Sequence, residues 1–230
     1  MIATSLNKLP TQDTFSLQKV WQTVDFSSCP DVYNFHMHTT CSDGQLAPLD
    51  LIEQALTIGL KGLAITDHHS VNGFLQARQY LSTIRQAKPL VNLPHLWTGV
   101  EITAKLMGVD VHILGYGFDP THPSLTTYLQ GSSPEGKNAV AKRVVDCLHQ
   151  AGGLVVLAHP FRYRHSAKKL IPLAVDCGVD GVEAYYAYGN PQPWKPSSKQ
   201  TTEALQLAAK YNLYTTCGTD THGLNLLRRI

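Results

Sequence analysis

The sequence predicts an α/β fold in which seven mainly parallel strands close, or nearly close, into a helix-covered barrel. Two observations predict it. Short apolar runs bounded by Gly or Asp alternate with stretches whose apolar residues recur at helical spacing, and strands alternating with helices call for a parallel sheet covered on its faces. In addition, His and acidic residues recur at the C-terminal ends of these runs, the face on which barrel enzymes build their sites. At 230 residues and 43% hydrophobic, the chain has the material for one sizeable core. It is read as an N-terminal extension, residues 1–30, followed by one domain, residues 31–230.

The extension mixes polar groups with Trp21 and Phe26 and has no clear period, so a strap or short helix packed on the outside is expected. The first strand runs from Val32 to His38, and a helix marked by Leu49, Ile52, Ala55, Leu56 and Ile58 ends at Gly59. Strands follow over Gly62–Thr66, Trp97–Thr103 and Val109–Tyr116. The next helix carries Val140, Val144, Val145 and Leu148 and stops at Gly152-Gly153. Gly153–His159, Gly181–Ala184 and Leu213–Gly218 complete the seven strands, with helices over Ala167–Cys177 and Thr202–Tyr211. Phe118–Asn138 and Tyr185–Lys199 are rich in Pro, Gly, Ser or aromatics and read as loops able to cover a cleft.

Composition excludes several function classes. With 19 Lys+Arg against 17 Asp+Glu the formal charge is +2, too little for a broad nucleic-acid platform. No stretch approaches a membrane span, and Met1 to Phe15 has no apolar core of signal-peptide type, so no membrane partner and a cytoplasmic location are expected. The cysteines, Cys29, Cys41, Cys147, Cys177 and Cys217, are odd in number and never spaced CxxC; reduced, mostly buried thiols are expected.

The chemistry concentrates in a few segments. In His36-Met37-His38 two imidazoles two residues apart on a strand project from one face and can grip one metal ion. Asp43 follows in the next loop, and Asp67-His68-His69, Glu101, His112, His159 and Asp220-Thr221-His222 sit at or near later strand ends. His112 lies in mid-strand and must point inward. His95, His122, His149 and His165 fall outside these patterns and read as ordinary structural histidines.

Several of these segments, taken in order, resemble the PHP (polymerase and histidinol phosphatase) family of metal-dependent phosphoesterases. They are Phe35-His36-Met37-His38-Thr39 with Ser42-Asp43-Gly44, Ile65-Thr66-Asp67-His68-His69, Gly99-Val100-Glu101-Ile102, His112-Ile113-Leu114-Gly115-Tyr116, Ala158-His159-Pro160 and Gly218-Thr219-Asp220-Thr221-His222-Gly223. The resemblance covers roughly Tyr33 to Gly223 and implies a distorted (βα)7 TIM-like barrel with two or three divalent ions (Zn, Mn or Fe) at its mouth. Carried over, His36, His38, Glu101 and Asp220 hold the first ion, and Glu101, His112 and His159 the second. Asp43, His68 and His222 hold the third. Glu101, Asp220 and His222 carry the catalytic assignment, with metal-bound hydroxide attacking phosphorus; no Ser or Cys stands in a nucleophile elbow.

The stretches His112 to Pro120 and His159-Pro160-Phe161-Arg162-Tyr163 resemble the stand-alone, nucleotide-acting branch of the family. The resemblance implies a small phosphorylated substrate, a nucleoside 3′,5′-bisphosphate or a short 5′-phosphorylated RNA, with Arg162 and Tyr163 as substrate contacts. A guanidinium fork at Arg162 suits a phosphate. That branch carries a long helical insertion between the two stretches, whereas here only about forty residues separate Pro120 from His159. Asp67 and His69 flank His68 and would orient it, and Glu183 reads as a supporting carboxylate. Tyr185, Tyr186 and Tyr188 could stack a base or sugar. The rivals are a histidinol-phosphate-type phosphomonoesterase, an amidohydrolase-like C–N hydrolase and a non-catalytic metal-binding module. The amidohydrolase reading lacks a Lys at a strand end, and the binding module usually loses ligands, whereas all nine positions are filled here.

Overall fold

Two sheets organise the described residues, 10–230, of the computed structural model. Residues 1–9, the start of the extension, lie outside them. In one sheet β1 (Tyr33–Asn34), β2 (Gly62–Ala64) and β3 (His95–Trp97) run parallel in that order. The other holds β4 (Gly99–Leu106), β5 (Val109–Tyr116), β6 (Leu154–Leu157), β7 (Gly181–Tyr185) and β8 (Tyr214–Cys217), also in sequence order. Six α-helices accompany them: α1 (Thr14–Trp21), α2 (Pro48–Ile58), α3 (Asn72–Ala87), α4 (Ala141–Gln150), α5 (Ala167–Cys177) and α6 (Ser198–Tyr211).

The α/β class holds, but the strand plan, eight strands in two sheets, differs from seven mainly parallel strands in two ways. First, the apolar run Trp97–Thr103 is not one strand. It breaks at Thr98, whose amide donates to the Thr11 carbonyl at 3.0 Å, and Gly99 sits so close to the Ile65 carbonyl oxygen that a β-carbon there would collide. The chain therefore leaves one sheet and enters the other within two residues. Second, β4 and β5 form an antiparallel hairpin, and β6 runs antiparallel to β5. The hairpin loop is Met107-Gly108, both at positive φ (53° and 74°), the conformation a two-residue hairpin loop needs to match strand twist. Only β6-β7-β8 continue in parallel.

Main-chain hydrogen bonds beyond the strand ends tie the sheets together. Past β1 and β8, Phe35 N–H donates to Cys217 O (3.0 Å), Asp220 N–H to His36 O (2.8 Å) and His38 N–H to Thr221 O (3.0 Å). Past β2, Glu101 N–H donates to Asp67 O (3.2 Å) and His69 N–H to Glu101 O (2.9 Å). The histidine- and acid-bearing segments are thus themselves the seams, so their backbones are fixed by the same bonds that join the sheets.

The helices bury their apolar stripes as the periodicity predicts, with α2 ended by Gly59 at φ 83°, a left-handed position that suits glycine. The extension is less peripheral than expected: α1 buries Leu17 and Trp21 completely, and Trp21 packs edge-on against Tyr116 and Phe35 at 5.3 and 6.1 Å between ring centroids. The helix α3, which was not among the expected elements, buries Phe74, Ala77 and Leu81 in the core, with Leu75 and Tyr80 half-buried against it. Among the described residues no helix is long and apolar enough to cross a membrane. All five cysteines are free; Cys29 and Cys217 are buried and the other three half-buried.

A candidate metal centre at the strand ends

Glu101 is the hub. It enters from β4 and is almost fully buried, with one carboxylate oxygen, Oε2, 3.0 Å from Nε2 of both His36 and His38 and 3.6 Å from Nε2 of His68. Its other oxygen, Oε1, lies 2.7 Å from His112 Nδ1 and 3.4 Å from His159 Nε2. His112, from the middle of β5, points inward as its position requires. Asp220, at φ 54° just past β8, places Oδ1 3.3 Å from Nε2 of both His36 and His38. Asp43, more than half exposed, sits at the mouth with Oδ2 3.3 Å from His222 Nε2 and 3.7 Å from His68 Nε2.

Donor atoms converge in three groups, each with mutual separations within 4.8 Å: His36, His38, Glu101 and Asp220; His38, Asp43, His68 and His222; and His68, Glu101 and His112. The first matches the set expected for the first ion. The second contains all of the set expected for the third ion and adds His38. The third differs from the second-ion set: His68 joins Glu101 and His112, while His159 reaches Glu101 alone. Among the residues expected to stand apart, His95, His122, His149 and His165 fall in none of these groups.

The donor set fits divalent ions on geometry as well as type. Both ring nitrogens of His38 are buried without a hydrogen-bond partner, although Nε2 lies within ion-pair distance of two carboxylates. Both nitrogens of His159 are likewise without a hydrogen-bond partner, with Nε2 near the Glu101 carboxylate alone. Buried imidazoles and carboxylates aimed off one another's hydrogen-bond directions leave polar atoms converging on shared space, a costly arrangement unless a cation, whether protons or a metal ion, completes it. Imidazole and carboxylate without thiolate suit zinc, manganese or iron.

Surrounding groups set the orientation of the donors. Glu183 on β7 accepts from His36 Nδ1 at 2.9 Å and from the His159 amide at 2.8 Å, so one buried carboxylate fixes the first imidazole's tautomer and the second's backbone. His159 itself holds a positive φ of 24°, a local cost of about 1–3 kcal/mol that such bonds must offset. His222 Nδ1 lies 2.7 Å from the Asp220 carbonyl, which leaves Nε2 facing Asp43. Asp67 accepts from Thr39 N–H (2.7 Å), Thr39 Oγ1 (2.7 Å) and Ser42 Oγ (2.8 Å), so it anchors the loop that carries Asp43 rather than the His68 ring. His69 faces Thr103 and Ser133 and, with the Gly131 amide bond to its carbonyl, ties the Phe118–Asn138 segment to the residue next to His68.

Of the two substrate contacts expected, Tyr163 accepts the His112 amide hydrogen bond (2.8 Å) and donates to Ala158 O (3.1 Å), so its hydroxyl is spent on the scaffold. Its ring lies beside His112 and His159. Arg162 reaches the rim, where Nη1 donates to Asp220 Oδ2 at 2.8 Å and to Tyr186 Oη at 3.1 Å. Tyr186 donates to the same Asp220 oxygen at 2.6 Å. Sequence reasoning missed one residue altogether: Arg229, whose Nε also lies 2.8 Å from Asp220 Oδ2.

The charges interlock. Burial pushes His36 down, but Glu101, Glu183 and Asp220 together raise it well above the usual imidazole range. Burial likewise opposes protonation of His38, and Asp220 and Glu101 overcome it, raising the ring to about 9. Glu101 and Asp220, though buried, are held well below the usual carboxylate range, chiefly by His36. His68 and His69 lack enough compensation, and burial drops each to about 4.

One glycine is required for this geometry. A β-carbon on Gly218 would overlap the His36 β-carbon and lie 2.8 Å from the His36 amide nitrogen. Gly218→Ala is therefore expected to displace His36, lower metal-free stability by about 1–3 kcal/mol through overpacking, and weaken metal binding. A variant that melts like wild type and keeps its metal content would contradict the close packing.

Comparison with known proteins agrees with the geometry. The family described as PHP domain matches residues 34–217. A 5′-3′ exoribonuclease of Haemophilus influenzae is 27% identical over 221 residues, covering 66% of this chain and 78% of the relative. A 3′,5′-nucleoside bisphosphate phosphatase of Chromobacterium violaceum is 33% identical over 119 residues, 52% of this chain and 39% of the relative. Among solved structures, one from Bifidobacterium adolescentis, provisionally assigned as a metal-dependent phosphoesterase, superposes with a TM-score of 0.68 at 23% identity, covering 86% of this chain and 93% of the other.

Proposed function

Because the chain belongs to the PHP domain family, we propose that it is a metal-dependent phosphoesterase of the nucleotide-acting branch, hydrolysing a nucleoside 3′,5′-bisphosphate or a short 5′-phosphorylated RNA. The observation that carries this reading is the buried convergence of His36, His38, Glu101 and Asp220, with both His38 nitrogens buried, without a hydrogen-bond partner and facing only carboxylates, Nε2 those of Glu101 and Asp220 and Nδ1 that of Asp43. In this reading those four residues hold a first ion; Glu101 with His112 and His159, and with His68 close by, a second; Asp43, His68 and His222 a third. Bound divalent zinc, manganese or iron supplies charge neutralisation for the phosphoryl oxygens and acidifies water at neutral pH.

The protein's own groups do the rest. Glu183 keeps His36 Nε2 turned toward Glu101. Tyr163 keeps the His112 backbone in place, and Arg162 and Tyr186 hold Asp220 while Arg162 leaves further donors for a phosphate. The substrate classes are those of the H. influenzae and C. violaceum relatives, and the half-open Arg162 at the rim supports an anionic substrate. The same reading takes residues 31–230 as the catalytic domain and the two sheets as halves of a distorted barrel, supported by the hydrogen bonds across both seams. Five free thiols suit a cytoplasmic enzyme.

Release of inorganic phosphate, and of mononucleotide from the RNA, tests the reading. Metal-free protein reconstituted with manganese or zinc is offered a nucleoside 3′,5′-bisphosphate, a 5′-phosphorylated short RNA, histidinol phosphate and an aryl phosphate, beside His36→Ala. Metal-dependent turnover of one of the first two, lost in the variant, is expected. Stoichiometric metal binding with no turnover of any member would overturn it.

A further inference from the structure

Building on that reading of the site, we propose that Arg229 and Arg162 form a two-guanidinium clamp for a second phosphate of the substrate, the one that is not hydrolysed. Asp220 faces two ways. Its Oδ1 looks toward His36 and His38, whereas its Oδ2 accepts three donors: Arg162 Nη1 and Arg229 Nε, both at 2.8 Å, and the Tyr186 hydroxyl at 2.6 Å. Two guanidiniums thus share one carboxylate, and among the described residues neither has another acidic ion-pair partner. Arginine does not lose its proton in proteins. The pair therefore carries an uncompensated positive charge against the wall of the centre.

Both side chains are accessible, Arg162 at 37% and Arg229 at 21% relative exposure. Each spends one nitrogen on Asp220 and presents the remainder of a rigid fork, the arrangement that suits an anion with several oxygens. Arg229 is also held in place. Its carbonyl accepts from the His222 amide, the Thr221 hydroxyl donates to the carbonyls of Leu226 and Arg228, and Leu226 is fully buried with its amide bound to Gln54. Tethering to residues 221–222 fixes the clamp relative to the donor atoms of Asp220 and His222. A phosphoryl group seated beside Glu101 would lie on the Oδ1 side of Asp220, so a phosphate on the Oδ2 side is a different one. The ligand class is accordingly a substrate with two phosphate groups, such as a nucleoside bisphosphate or a 5′-phosphorylated RNA with its next phosphodiester.

The test compares kcat/KM for adenosine 3′,5′-bisphosphate and an aryl monophosphate in wild type, Arg229→Gln, Arg229→Lys and Arg228→Gln, the last an exposed neighbour. Calorimetric binding of adenosine 3′,5′-bisphosphate and of adenosine, which carries no phosphate, to the metal-free proteins runs alongside. R229Q should lower the bisphosphate-to-monophosphate ratio of kcat/KM, and the bisphosphate-to-adenosine ratio of affinity, by about tenfold or more. R229K should retain part of it and R228Q all of it. Equal losses on both ligands would reduce Arg229 to a cap on Asp220 and overturn the clamp. If wild type turns over neither substrate, the phosphoesterase reading fails, and the binding ratio alone decides the clamp.

Discussion

Glu101→Gln is expected to abolish metal-dependent turnover, with kcat/KM falling at least ~10³-fold, because partners one layer further out typically cost 10–100-fold by themselves. Among the described residues no other side chain is approached by five imidazoles, those of His36, His38, His68, His112 and His159. Glutamine removes the negative charge and replaces one acceptor oxygen with an amide donor, which would face the very nitrogens meant to stay free. Metal content measured by mass spectrometry should drop by the ions that share this carboxylate, leaving at most the one at Asp43, His68 and His222. The effect on folding should be milder than on activity. Breaking a buried ion pair usually costs about 3–5 kcal/mol when the stranded partner cannot discharge. His36 and His38 can discharge, by losing the protons that Glu101 helps them keep, so the metal-free melt should fall by less than that. A variant that holds the full metal complement and stays within tenfold of wild-type activity would remove Glu101 from the centre of the scheme.

Much of this site is legible in the sequence because metal donors announce themselves by type. His36, His38, Glu101, Asp220, His159 and His222 each stand in or at the end of an apolar run, and the seams that join the two sheets run through His36, His38, Glu101 and Asp220. What escapes the sequence is whatever depends on close approach. Trp97 to Thr103 reads as one apolar strand, and nothing in that run shows that Gly99 must pass against the Ile65 carbonyl and split it. The pair Met107-Gly108 could have signalled the antiparallel hairpin, since two-residue loops at positive φ do not lead to parallel crossovers. The helix Asn72–Ala87 carries Phe74, Ala77, Leu81 and Ile84 at helical spacing, a stripe the sequence does show and that a reading by strand ends passes over. The assignment of His68 to two donor groups, and of Arg229 to the rim, follows from where the loops fold back. Arg229 lies in no donor motif, and only the bonds from Thr221 and His222 to the last residues bring it to Asp220.

Loading the first ion at neutral pH is expected to release about two protons, and its affinity should climb steeply with pH. A metal-bound imidazole must be neutral at the coordinating nitrogen, yet in the metal-free protein His38 is raised to about 9 and His36 lies well above the ordinary range. Both are protonated at pH 7. Each displaced proton contributes up to about tenfold in apparent affinity per pH unit until the ring's own pKa is passed. The group of Asp43, His68 and His222 should respond less, because His68, at about 4, is already neutral. Stability without metal runs the other way. For His36 and His38 the folded-state pKa exceeds the unfolded value of about 6.5, so their contribution is fully present below that pH and is lost as pH rises toward about 9. Glu101 and Asp220 are depressed, so theirs is present above the ordinary carboxylate range and is lost as pH falls through it. The metal-free protein should therefore melt progressively lower between pH 6.5 and 9, while the gain in melting temperature on adding metal grows over the same interval. Calorimetric titration in two buffers of different ionisation enthalpy counts the protons. Release of none at pH 7 would mean that the centre holds its imidazoles neutral, with the carboxylates poised for a cation rather than already occupied by protons.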